Sequence, residues 1–324
     1  MPAPVSLQVV VCTYNRAQHL DATLAALSHQ REAPIPWSVL VVDNASTDDT
    51  PAVVDAWRGR VPGLRRVLES EPGLTSARRR GAREAYADWI AFVDDDNLLA
   101  PDWIAQAAAA IAAHPEAGGF GGKIVLDFEA PPPAFLKGFG FCFAEQDHGE
   151  VPCEVDNLAG AGMLLRRAAL EACGWTRQPL LADRSGAQLI SGGDVEISQR
   201  VRGAGYALWY APGCVLRHQI PASRMTRSYL LRMSEGLGVS ASLVNALGWP
   251  GPYTAWRDQA KDNAWRCGVW AAGELRRALM RRCGVTAALA WLWFAGGMRR
   301  GVRTVENMPD DRRAAFFGAA ARRA

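Results

Sequence analysis

A chain of 324 residues, 49% hydrophobic and 21% charged, can bury a sizeable core and is too polar overall for a polytopic membrane protein. Its formal charge of +3 hides two unlike parts. Residues 1–221 carry 19 Lys+Arg against 26 Asp+Glu, whereas residues 222–324 carry 17 against 7 and are rich in Trp, which points to an anionic contact: a lipid surface, a lipid phosphate or nucleic acid. Seven cysteines, at 12, 142, 153, 173, 214, 267 and 283, include no C-x-x-C pair, so neither a disulfide framework nor a cysteine zinc site is indicated. The opening Met1-Pro-Ala-Pro-Val-Ser lacks the basic and apolar regions of a signal peptide, and the expected location is the cytoplasm.

In chain order, Leu7 to Val11 is a short continuous apolar run ending at Cys12-Thr-Tyr-Asn-Arg, followed by Leu20, Leu24 and Leu27 at helical spacing. Val39 to Val42 repeats the pattern, ends at Asp43, and leads through Ser46-Thr-Asp-Asp-Thr-Pro into a second helix, with Pro51 in its first turn. Leu64 to Leu68 reads as a third strand, Gly73 to Tyr86 as a third helix, and Trp89 to Val93 as a fourth strand running into Asp94-Asp95-Asp96. Pro101-Asp102 then opens an Ala-rich helix. Strands alternating with helices predict an α/β fold with a mostly parallel sheet covered on both faces and ligands at the carboxyl ends of its strands. Thr13, Asp43 and the acid triplet all fall there.

The regular pattern stops between Asp127 and Pro152, a loop long enough to suggest function, and resumes near Asn157. A helix is expected from about Asp194 to Ala204 and a strand from about Tyr206 to Val215, leading to Arg217-His218. Beyond Met225 the chain reads as helices. Between Arg282 and Arg299 lie 16 uncharged residues with Trp291 and Trp293, short of the roughly 20 needed to span a bilayer. An interfacial or re-entrant helix over residues 284–298, flanked by Arg281-Arg282 and Arg299-Arg300, is the expectation, with a buried core helix as its alternative.

Three successive carboxylates repel one another and call for a partner, a cation or hydrogen-bond donors. In extended chain, Asp94 and Asp96 share a face and Asp95 points away, and hard oxygen ligands of this kind suit Mn2+ or Mg2+ completed by substrate phosphates. Five segments carry a further signal: Val9-Val-Val-Cys-Thr-Tyr-Asn-Arg, Val41-Val-Asp-Asn-Ala-Ser-Thr-Asp, Gly73-Leu-Thr-Ser-Ala-Arg, Ile90-Ala-Phe-Val-Asp-Asp-Asp and Gly192-Gly-Asp-Val-Glu-Ile. In this order they resemble the motifs of the family 2 glycosyltransferases with the GT-A fold, over roughly residues 5–220.

The resemblance implies a GT-A domain over 1–221 and a basic helical region over 222–324. It implies an inverting, metal-dependent transfer of one sugar from a nucleotide-sugar donor, UDP first, to a glycan or lipid-linked acceptor in cell-surface polysaccharide or glycolipid synthesis. By motif, Thr13, Tyr14 and Arg16 would flank the nucleoside, Asp43 would accept from the base, and Arg78 would lie near base and diphosphate. Asp94 would contact the ribose or the metal shell, Asp96 would bind the metal with His218 beside it, and Arg224 would meet the leaving diphosphate. Asp194 would be the general base, with Glu196 in reserve because Gly193 stands where the family usually has Glu.

A sugar-nucleotide-forming nucleotidyltransferase would also need acids and a metal, but the loop after the first strand has no glycine to cradle a triphosphate. A nucleic-acid-binding protein is disfavoured because the Arg residues form no DNA-reading motif. The C-terminal helices are expected at the inner face of the cytoplasmic membrane.

Overall fold

The computed structural model describes residues 5–181, 189–281 and 284–321, with side chains as far as 317. Arg282, Cys283 and the extreme termini lie outside the described residues. The chain forms two compact units: Met1–Asp127 with Phe143–Pro179 and Ile197–Ile220, and Phe128–Cys142 with Leu180–Glu196 and Pro221–Ala324. Phe128–Cys142 and Leu180–Glu196 thus group with the helical unit.

The first unit holds β1 (Leu7–Thr13), α1 (Ala17–Ser28), β2 (Trp37–Asp43), α2 (Thr50–Trp57), β3 (Arg65–Leu68), α3 (Leu74–Glu84), β4 (Trp89–Asp94), β5 (Asn97–Leu99) and α4 (Trp103–Ala113). It continues with β6 (Ala117–Phe128), β7 (Cys153–Glu154), β8 (Met163–Arg166) and α5 (Arg167–Ala172), then α6 (Gly193–Gly203), whose first turn is counted with the second unit, and β9 (Ala207–Ile220). Among the described residues these strands form one sheet in the order β3-β2-β1-β4-β8-β6-β9-β5, with β7 on β9. The β3, β2, β1 and β4 ladder is parallel, and β8 pairs antiparallel with β4.

The apolar runs are continuous because both faces are covered. Val9 and Val11 enter one core with Leu20, Leu24 and Trp103, while Val10 and Cys12 enter a second with Ala77, Leu170 and Ile197. The parallel register then sets the site: Thr13 lies opposite Asp43, and Cys12 opposite Asp94, so the polar residues form a row across the strand ends. The sequence reading missed β5 and β6. β5 is only three residues, and β6 begins at Ala117-Gly-Gly, where small residues hide the period-2 signal. In the expected loop, Ala134–Leu136 and Gly140–Phe143 are single 3-10 turns.

The second unit contains α7 (Arg227–Leu247), α8 (Tyr253–Met280), α9 (Thr286–Glu306) and α10 (Asp310–Ala321). Small residues let α7 and α9 meet backbone to backbone. A Cβ on Gly238 would lie 2.0 Å from the Phe294 carbonyl oxygen, and one on Gly297 would lie 2.0 Å from that of Glu235. Ala290, Ala295 and Val302 of α9 are buried, so the core-helix alternative describes this side of the segment better than an interfacial helix over 284–298. Among the described residues, no helix is long and apolar enough to cross a membrane. The packing predicts that Gly297→Ala costs about 2 to 3 kcal/mol in urea unfolding, because its methyl has no space without parting the helices. An unchanged midpoint would contradict this packing.

Candidate active site

The loop after β1 bends at Asn15, in the left-handed region with φ 51°, a conformation Asn tolerates better than most residues. The bend is pinned from β2's own loop: the Asn15 N–H donates to Ser46 Oγ (3.0 Å), and Asn15 Oδ1 accepts the Thr47 N–H (2.7 Å). Tyr14 is left 57% exposed on one side, while buried Thr13 and the Arg16 guanidinium turn toward the end of β4.

Asp43 is buried at the end of β2. Its Oδ1 accepts the Ser46 N–H (2.9 Å), and its Oδ2 pairs with Arg66 Nη1 of β3 (2.8 Å). The sequence reading did not single out Arg66. It also passed over Asn44, although that residue stands in the quoted motif. Asn44 Nδ2 donates to the carbonyls of Glu69 (3.0 Å) and Glu71 (2.7 Å), and its Oδ1 accepts the Gly73 N–H (2.8 Å). Gly73, at φ 122°, then turns the chain into α3, whose buried Arg78 donates from Nη2 to Asp94 Oδ1 (3.3 Å) and lies against Gly160. A Cβ on Gly160 would approach Arg78 Nη2 to 2.7 Å, so glycine makes room for the guanidinium.

The acid triplet departs from the expected alternation. β4 ends at Asp94, and Asp95–Asp96 form a turn before β5, so Asp95 does not point away. Arg16 Nη1 bridges Asp95 Oδ1 (2.6 Å) and Asp96 Oδ2 (2.9 Å), and Thr13 Oγ1 donates to Asp95 Oδ2 (2.8 Å). Thr23 Oγ1 donates to the Asp95 carbonyl (2.8 Å), and Asn97 Oδ1 accepts the Asp94 N–H (3.1 Å), which fixes the turn from both sides. Burial pushes the Asp95 carboxyl up to about 7; Arg16 opposes this, and the Asp96 charge adds to it. Burial also works against the Arg16 charge, but Asp95 and Asp96 outweigh it and raise the Arg16 pKa. Behind the row, the Cys12 thiol is pushed up to about 12, first by burial, and is no nucleophile at neutral pH.

His218 reaches the triplet through β9, whose antiparallel pairing with β5 sets it opposite Asn97. Its Nδ1 lies 2.7 Å from the Phe143 carbonyl oxygen. A carbonyl only accepts, so Nδ1 carries the hydrogen and Nε2 faces Asp96 Oδ1 at 3.5 Å. An imidazole nitrogen held in this tautomer beside a buried carboxylate is a donor pair that fits Mn2+ or a similar divalent ion. Among the described residues no group of three or more His, Cys, Asp or Glu could hold a metal, so the remaining ligands would come from the diphosphate.

Asp194 and Glu196 share the first turn of α6 and differ in access. Asp194 is half-buried and accepts the Val195 N–H (2.8 Å). Glu196 is fully buried, and its two oxygens accept the N–H groups of Leu180 (2.8 Å) and Leu181 (2.7 Å). The reserve assignment is therefore corrected: a carboxylate sealed as an anchor for the 180–181 backbone cannot reach a hydroxyl. Arg224 ends a 3-10 turn, Ala222–Arg224, and is half-buried in the second unit.

Asp95 gives this site a pH signature. Its folded pKa is raised above its ordinary 3.8, so the stability it contributes is complete below that value and is lost as pH rises toward about 7. Between about pH 5 and 7 the ligand-free protein is predicted to lose up to about 1.4 kcal/mol per pH unit more than Asp95→Asn. Equal slopes for the two in urea unfolding would contradict the raised carboxyl.

Residues 8–174 match glycosyl transferase family 2. Validoxylamine A glucosyltransferase from Streptomyces hygroscopicus subsp. limoneus is 39% identical over 122 residues, 37% of this chain and 26% of that protein, so the chain spans about a quarter of that relative's length. The S. aureus TarS 1-349 structure in complex with UDP-GlcNAc superposes over 98% of this chain and 88% of its own, at TM-score 0.54 and 16% identity. The mannosyltransferase PcManGT from Pyrobaculum calidifontis, in complex with GDP-Man and Mn2+, covers 98% of this chain and 80% of its own at TM-score 0.55 and 19% identity. These neighbours share the GT-A fold. Because the family match takes in more than half of the chain, from the first strand past the acid triplet, the chain belongs to glycosyl transferase family 2.

Proposed function

We propose that the protein transfers a single sugar, with inversion, from a nucleoside-diphosphate sugar to a hydroxyl of a glycan or lipid-linked acceptor. The observation that carries this reading is the row of Thr13, Asp43 and Asp94 at the ends of adjacent strands, with Arg78 of α3 paired to Asp94, Asp96 in the turn that follows β4, and His218 Nε2 turned toward Asp96. TarS with UDP-GlcNAc and PcManGT with GDP-Man and Mn2+ support the donor class. UDP is the donor nucleotide we assign, since Asp43 can accept a ring N–H through a lone pair that Ser46 and Arg66 leave open. Exposed Tyr14 offers a face for stacking on the base.

Asp96 and His218 would hold a divalent cation. Bound there, such an ion supplies Lewis-acid neutralisation of the departing diphosphate. Arg78 would add its charge on the nucleotide side, and Arg224 would bind the diphosphate in the same role. Asp194 takes the acceptor's hydroxyl proton as that oxygen bonds to the anomeric carbon; the bond to the diphosphate oxygen breaks, and the nucleoside diphosphate leaves with the electron pair. Placement in the first turn of a helix favours the ionised carboxylate needed for this task.

Transfer or donor hydrolysis measured with Mn2+ is expected to fall about 100-fold or more in kcat for Asp194→Asn and for Asp96→Ala, and to vanish on chelation. Wild-type activity in Asp96→Ala, or in the chelated enzyme, would refute the metal role. Wild-type activity in Asp194→Asn would refute the base.

A further inference from the structure

The helical unit carries an apolar surface that its own packing does not use. α8 turns Trp256, Ala260, Ala264, Ala271 and Ala278 inward at helical spacing. Away from that face, Trp265, Val269, Trp270, Leu279 and Met280 are between 48% and 66% exposed. Trp265, Val269 and Ala272 stand four and three residues apart and share one side of the helix. Trp270 meets Trp291 of α9 edge to face at 5.7 Å, and Trp291 stacks at 6.4 Å on Phe141, itself half exposed, so the surface runs on from α8 across α9 to the 128–142 segment. Monomeric proteins seldom leave several large aromatic rings together in water.

The charges around this surface are mainly positive, although Arg266 pairs with Asp262 one turn back (2.7 Å). From Trp265 to Arg281 there are four arginines, at 266, 276, 277 and 281, and one acid, Glu274, which pairs with Arg277. Arg299 reaches over α8 from α9, close enough that a Cβ on Gly268 would lie 3.1 Å from its Nη2. Tryptophan beside arginine on a helix with an aliphatic stripe matches the boundary between headgroups and acyl chains, where the ring is half desolvated and the guanidinium meets phosphate. A second copy of this chain is a poor occupant, since a symmetric contact would set the arginine rows against each other. Single-stranded nucleic acid would leave Val269, Leu279 and Met280 without an apolar partner.

We infer that this face of the helical unit, centred on α8 and not on residues 284–298, docks on an anionic phospholipid surface, with Trp265 and Trp270 entering the interface and Arg266, Arg276 and Arg299 on the headgroups. The inference is independent of the sugar-transfer reading.

Sedimentation of the full chain with vesicles tests it. Vesicles of equal parts phosphatidylcholine and phosphatidylglycerol are expected to carry the protein down at low salt, and phosphatidylcholine alone to bind it about tenfold more weakly. Trp265→Ser with Trp270→Ser, and separately Val269→Asp, are expected to lower the partition coefficient on the mixed vesicles about tenfold each while the far-ultraviolet circular dichroism stays that of the wild type, since none of these side chains lies on the inward face of α8. Arg266→Glu with Arg276→Glu should remove the preference for phosphatidylglycerol. The proposal is overturned if the wild type stays in the supernatant with mixed vesicles, or if the Trp pair and Val269→Asp both sediment like the wild type. It is equally overturned if ultracentrifugation without lipid shows a dimer that Val269→Asp dissociates, which would make this face a subunit seam.

Discussion

One guanidinium holds the carboxyl end of the parallel strands together. Arg16 bridges Asp95 and Asp96 at a turn where three carboxyls follow one another, and Thr13 shares the burden by donating to Asp95. Without that bridge, two buried acids would face each other beside Asn97 and His218, an arrangement that burial makes costly. The bridge exists because Asn15 bends the β1 loop and because the loop after β2 clamps that bend. Three strand-end loops are thus tied into one unit by hydrogen bonds between side chains and backbone, and the candidate metal pair is built on its far side.

The three acids now have unequal roles. Asp94 answers to Arg78, Asp95 to Arg16 and Thr13, and only Asp96 shares its second oxygen with the His218 side. With Asp95 ionised, two arginines against three carboxyls leave a negative remainder, which favours a divalent cation there. The second unit is held by a different device. Its α7 and α9 approach through glycine and serine so closely that backbone meets backbone, which leaves α8 covered on one side only.

Much of this was legible in the sequence. The four parallel strands and the strand-end positions of Thr13, Asp43 and the triplet followed from apolar runs ending in polar residues, whereas His218 was singled out through the family resemblance. Asp95 was misread because alternation holds only while the chain stays extended, and the turn that breaks it is fixed by Thr23 and Asn97, remote or small signals. Arg66 was invisible because its role depends on β3 pairing beside β2, a matter of register that no local pattern encodes. Glu196 read as a candidate base because spacing cannot show that two backbone N–H groups already occupy it. The Trp-rich stretch over 284–298 looked interfacial for its composition, yet its alanines and glycines were the better guide to α9, and the exposed rings fall largely on α8.

The central claim is that Asp96 and the Nε2 of His218 hold a divalent ion at the nucleotide end of the sheet. Pulsed electron paramagnetic resonance of Mn2+ bound to the protein with UDP tests it most directly. The account predicts coupling to a single imidazole nitrogen that disappears in His218→Ala while nucleotide binding persists. Bound Mn2+ without any nitrogen coupling in the wild type, or a coupling that survives that substitution, would contradict it.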